Sequence, residues 1–131
     1  DKAKDFEFMR KRAGHLWSKM RFISAQFDAY LEGGLWLDLA SRANAMAQRL
    51  AAGLKDIKGV EFLYPVDINE LFVVFPEGVA EKLRAGGDVF YPWVTPGDPA
   101  NGGAHRLICS FRTTEAEVDA FVDRVGKAAG G

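Results

Sequence analysis

The stretch Ala104-His105-Arg106-Leu107-Ile108-Cys109-Ser110-Phe111 limits the fold more than any other. It alternates with a period of two, so it reads as a strand. Leu107, Cys109 and Phe111 point to one side, and Arg106, Ile108 and Ser110 to the other. Three residues later the period changes. Thr114 and Glu117 have the spacing of a capping box, and Val118, Phe121, Val122 and Val125 then form one helical stripe. A strand that runs straight into an amphipathic helix must pack one face beneath that helix and leave the other face for something else. That other face presents Arg106. A guanidinium there has two readings from spacing alone: a solvated arginine on an edge strand, or a clamp that grips a carboxylate through two parallel hydrogen bonds.

Upstream, helical stripes come first. Phe6 and Met9 fall on one face of a charged segment covering residues 2–12, which Ala13-Gly14 interrupts. Leu16, Met20, Ile23, Phe27, Tyr30 and Leu31 predict a second helix, ended by Gly33-Gly34. Leu35, Leu39, Ala43, Met46, Leu50 and Leu54 predict the longest one. From Gly59 the period drops to two. Strands are predicted at residues 60–64, 71–75 and 88–91, with a short helix over 79–84 between the last two. Residues 95–103 form a loop by composition, running directly into the Arg106 strand.

This order predicts an α/β (α+β, two-layer) domain: a small, mainly antiparallel sheet with helices on one side. We divide it into linking helices, residues 1–34, and a small α/β domain, residues 35–131. With 131 residues, 48% of them hydrophobic, the chain can build a core of its own. A net charge of −1 gives no general reason to expect nucleic acid or an anionic membrane surface as partner. No apolar run reaches the 18 or so residues needed to cross a bilayer. A single cysteine rules out an internal disulfide framework and suits a reducing, cytoplasmic setting. There is no cluster with metal-ligand spacing. The start shows neither a signal peptide nor an initiator methionine, so a processed or truncated end is expected.

The charge is unevenly spread: the first 21 residues hold seven Lys or Arg against three Asp or Glu. Such a run is commonly a solvated face; its functional alternative is contact with a phosphate. His15 and His105 lack the partners of a triad, and Cys109 shares its side with Leu107 and Phe111, as a core residue would. Asp67 and Glu70 have no carboxylate partner suggesting acid–base work.

An ordered set of residues also resembles a known family. Arg10-Lys11-Arg12-Ala13-Gly14-His15-Leu16, Ser18-Lys19, Arg21, Ser24-Ala25-Gln26, Ala43-Asn44-Ala45-Met46-Ala47, Asn69-Glu70-Leu71-Phe72-Val73 and Arg106-Leu107-Ile108-Cys109-Ser110-Phe111 look like the low-specificity threonine aldolases, which depend on pyridoxal 5′-phosphate (PLP). The resemblance covers residues 6 to 125, and to only the C-terminal part of such an enzyme. In that family the phosphate turn, the ring-nitrogen aspartate and the Schiff-base lysine come earlier, in an N-terminal cofactor domain. No lysine here stands in the Schiff-base context, so the resemblance implies a polypeptide that is inactive alone and a homo-oligomer, dimer or tetramer, when intact. It further implies that Arg106 holds the substrate's α-carboxylate, with Arg112 as competitor on the same strand parity, and that Lys19 and Arg21 approach the cofactor phosphate. Two other readings remain open: a non-catalytic small-molecule-binding α/β module, and the small domain of another fold-type-I PLP enzyme.

Overall fold

The computed structural model describes residues 3–93 and 103–130. The chain divides into two compact units, Asp1–Leu37 and Asp38–Gly131, with the division inside a long helix.

The first unit holds α1 (Phe6–Arg12), α2 (Arg21–Leu31) and a 3₁₀ turn, Glu32–Gly34, leading into α3 (Leu35–Leu54). Gly14, Gly33 and Gly34 all have positive φ, which glycine adopts without the Cβ clash that other residues meet. The expected helix from Leu16 to Leu31 begins five residues later, at Arg21. The cause is Lys19, whose φ of 62° cannot belong to a right-handed helix. Leu16, Trp17 and Met20 therefore lie outside α2, and the Trp17 indole N–H donates to the Gly14 carbonyl. No described residue of α1 or α2 is buried.

The second unit contains the core. Among the described residues its four strands are β1 (Glu61–Phe62), β2 (Glu70–Val74), β3 (Tyr91–Pro92) and β4 (Ala104–Ile108), in the order β1-β2-β4-β3 and antiparallel throughout. The helices are the remainder of α3, α4 (Val79–Ala85) and α5 (Glu115–Gly130). Alternation decides which strand residues meet them. Leu71 and Val73 of β2, Leu107 of β4 and the following Cys109 are buried with Ala47, Leu50 and Leu54 of α3, Leu83 of α4, and Val118 and Val125 of α5. The helices thus cover one side of the sheet, as the alternation predicts, but β4 ends at Ile108, and Phe111, expected on the covered side, is 49% exposed in the turn that follows.

Two forked ion pairs tie elements of this layer together. Arg49 of α3 donates through Nε and Nη2 to the two Asp119 oxygens of α5, both at 2.8 Å. Arg124 of α5 grips Asp88 in the same way, at 3.0 and 2.7 Å. The second pair explains a shortened strand. Asp88 turns toward α5, so β3 pairs only through Tyr91 and Pro92 rather than from residue 88. The capping box forms as spaced: the Thr114 N–H donates to Glu117 Oε2 at 2.8 Å, and the Glu117 N–H to Thr114 Oγ1 at 3.3 Å. β1 shrinks to two paired residues, although the Leu63 N–H still reaches the Phe72 carbonyl at 2.9 Å. The loop expected at 95–103 lies, except for Gly103, outside the described residues. No described helix is long and apolar enough to cross a membrane.

Candidate functional site

The face of the sheet away from the helices carries the groups left over from the core. β4 is central and has a neighbour on each side. Phe72 of β2 and Tyr91 of β3 both stand directly opposite Arg106. Phe72 is the middle of an aromatic row: its ring meets Tyr64 edge-on at 5.4 Å between centroids and Trp93 at 4.7 Å. Trp93 is held there by the ladder, since its backbone N–H donates to the Ala104 carbonyl at 2.7 Å.

Register brings a carboxylate to the arginine. Glu70 pairs with Ile108, which puts it diagonally across from Arg106 on the same face, within reach of two long side chains. Arg106 Nη2 donates to Glu70 Oε1. That hydrogen bond, more than the ion pair's charge alone, holds the guanidinium's pKa above its usual value, against desolvation. The tip of Arg106 is partly exposed, yet Nε at its base is sealed and has no partner among the described residues; the same holds for the Trp93 indole N–H. A buried N–H without an acceptor is costly. Beside Arg106 lies an open pocket of about 290 Å³ along the β3–β4 edge. Tyr91, Arg106 and Ile108 line it from one face, and Leu107, Cys109 and Phe121 from the other. It exists because β3 stops pairing at Tyr91 and leaves the end of β4 uncovered.

Arg112 sits in the turn after β4, where its own N–H donates to Ser110 Oγ at 3.1 Å and its charge helps lower the Glu117 pKa. It is not part of the Glu70–Arg106 pair. Cys109 is buried and burial pushes its thiol pKa up, the opposite of an activated nucleophile. Lys19 and Arg21 belong to the first unit. Both are exposed, and neither forms an ion pair among the described residues. Arg21 lies over the Phe22 ring, 4.9 Å from its centroid.

Sequence reasoning discounted Glu70 because it sought a second carboxylate. What Glu70 has is a guanidinium, and only the β2–β4 register reveals that.

No protein-family model matches the chain. Individual relatives do. The chain is 44% identical over 116 residues to a low specificity L-threonine aldolase of a Pseudomonas sp., and 40% identical over 113 residues to that of Pseudomonas aeruginosa. The chain belongs to the low-specificity L-threonine aldolase family. The match takes in 88% and 86% of this chain but only 32% and 31% of those relatives, so the chain spans about a third of their length. Among solved structures, a threonine aldolase of Leishmania major superposes with a TM-score of 0.80 at 25% identity, over 96% of this chain and 36% of that one. The helices and small antiparallel sheet are thus a threonine aldolase's architecture, and correspond to its C-terminal part.

Proposed function

We propose that this chain is the substrate-carboxylate-binding part of a PLP-dependent aldehyde-lyase. The reaction is cleavage of the Cα–Cβ bond of L-threonine, allo-threonine or another β-hydroxy amino acid to glycine and an aldehyde. The observation that carries the reading is Arg106: a partly exposed guanidinium on the uncovered face of the central strand, beside a pocket, in a chain 44% identical to a threonine aldolase.

The residues fit such a ligand in part. Besides the N–H that donates to Glu70, Arg106 keeps other N–H groups in a planar fork, which suits a carboxylate. Holding the α-carboxylate at two points fixes rotation about the substrate's Cα, so that the bond to be broken is held in one orientation. Lys19 and Arg21 are exposed cations without acidic partners among the described residues, as a phosphate contact requires. Bound PLP would supply the electron sink that takes up the pair left on Cα. The residues that hold its ring and form its lysine link belong to the N-terminal domain that the reading requires. The chain by itself is therefore inactive, and the intact enzyme is a cytoplasmic homo-oligomer acting on a small amino acid.

The test is Arg106→Lys in the intact enzyme. Lysine keeps the charge and loses the planar fork. Glycine release from L-threonine should fall on the order of a hundredfold in kcat/KM, with KM raised and the visible absorbance of the bound cofactor retained. Wild-type kinetics would remove Arg106 from the site.

A further inference from the structure

We infer that Glu70 is a positioning residue for this reaction: its carboxylate holds one edge of the Arg106 guanidinium and aims the rest at the substrate. The inference rests on the clamp reading of Arg106 and goes beyond it.

An arginine side chain has four rotatable bonds, and a clamp is useful only if its fork waits in the right place. Packing seals the Arg106 side chain as far as Nε, but the guanidinium tip beyond it is partly exposed. Its two cross-strand neighbours are Phe72, engaged with Tyr64 and Trp93, and Tyr91, which is 73% exposed and gives little support. The directional contact on the guanidinium, among the described residues, is Glu70. Glu70 is well suited to the task. Its side chain is the more buried of the two, 24% exposed against 37% for Arg106, so the fixed partner is the carboxylate and the outward one is the cation. Its backbone is fixed by the β2–β4 ladder, which Asn69 extends: the Cys109 N–H donates to the Asn69 backbone carbonyl at 2.9 Å, and the Asn69 side-chain amide Nδ2 donates to the Cys109 carbonyl at 2.8 Å. The diagonal offset draws Arg106 along the strand toward Ile108 and across it toward β2, the neighbour on the side away from β3.

The contact is monodentate, from Nη2 to Oε1. A bidentate grip would occupy the fork and make Glu70 a competitor of the substrate; a single bond leaves the second Nη2 hydrogen and both Nη1 hydrogens for an incoming carboxylate. Glu70 also bears the negative charge that offsets Arg106 when no substrate is bound.

The experiment uses the intact enzyme and four variants: Glu70→Gln, Glu70→Ala, Arg106→Lys and the double variant Glu70→Ala/Arg106→Lys. Glu70→Ala should raise KM for L-threonine on the order of tenfold or more and lower kcat as well, since a misdirected clamp loses orientation as well as grip. Glu70→Gln, whose amide oxygen still accepts from Nη2 and whose size is unchanged, should recover most of both. The double variant should be no worse than Arg106→Lys alone, because Glu70 acts only through Arg106. Binding of 1-amino-2-propanol, an amine with no carboxylate, should be the same in all variants, which a general loss of folding would not permit.

A Glu70→Ala enzyme with unchanged KM and kcat overturns the inference while leaving Arg106 as the clamp. A lower KM in Glu70→Ala overturns it too, by showing Glu70 to be a competing counter-ion. Additive losses in the double variant do the same. Wild-type kinetics in Arg106→Lys is a different result: it removes the clamp, and Glu70's role with it.

Discussion

His105 is the residue on which pH should act most plainly. It is the neighbour of Arg106 in β4 and faces the opposite way, into the helical layer, where it is 7% exposed. Phe75 and Phe90 flank it, at 5.6 and 5.2 Å between ring centroids. Burial lowers its pKa; the Arg84 charge on α4 lowers it further, while Glu81 on the same helix and the Gly103 carbonyl pull it back up. A histidine held neutral in the fold is protonated more readily in the unfolded chain. The unfolded state therefore gains the proton first as pH falls below the ordinary value of 6.5, and stability drops with it. Above that value the penalty is absent. We expect denaturation midpoints to fall steadily from pH 6.5 to about 5, above the range where the carboxylates begin to titrate, and His105→Phe to flatten the slope. An equally steep slope in His105→Phe would assign it elsewhere. The alternation that sets Arg106 on the face opposite Leu107 and Cys109 was plain in the sequence. Glu70 was not, because pairing register depends on partners 36 residues apart, as Glu70 and Arg106 are.

At the scale of elements, the close approach of α3 and α5 turns on one glycine. A Cβ at Gly53 would come within 2.7 Å of Val122 Cγ2 and 3.0 Å of Cγ1. Valine is branched at Cβ and has little freedom to turn aside in a helix. Two effects oppose each other in Gly53→Ala. Helix propensity favours alanine by about 1 kcal/mol, whereas overpacking costs about 1–3 kcal/mol. The clash should win, so the variant melts lower than the parent. In a Val122→Ala background the clash disappears and only the propensity gain remains, so the same substitution should raise the melting temperature. If Gly53→Ala destabilises equally in both backgrounds, the contact is not the cause. The stripes of α3 and α5 could be read from their spacing, and so could the Thr114 cap, because each depends on residues within a turn or two. The late start of α2 could not: Ser18-Lys19-Met20 has no glycine or proline to announce the left-handed turn at Lys19. The shortened β3 likewise depends on a distant partner, Arg124, taking Asp88.

Across the whole molecule, apolar surface is unevenly distributed. Among the described residues, the buried core lies within residues 43–125, among side chains of the second unit. In the first unit Phe6, Phe8, Leu16, Trp17, Phe22 and Phe27 are each more than half exposed. Isolated exposed apolar residues are ordinary, but this many large ones in some thirty residues is the signature of a surface meant to be covered. α1 and α2, of 7 and 11 residues, are also too short to hold their shape in water without packing. In our reading the cover is the cofactor domain or a second subunit. The 131-residue chain on its own should then satisfy these side chains by self-association. Sedimentation at tens of micromolar should show species heavier than 14.4 kDa, and a hydrophobic dye should bind. A chain starting at Leu35 keeps the core, the sheet and the Glu70–Arg106 pair, and should sediment as a monomer with a cooperative thermal transition. If the 131-residue chain is instead monomeric and binds no dye, the exposed face of its first unit needs no partner, and the interface assigned to it is wrong.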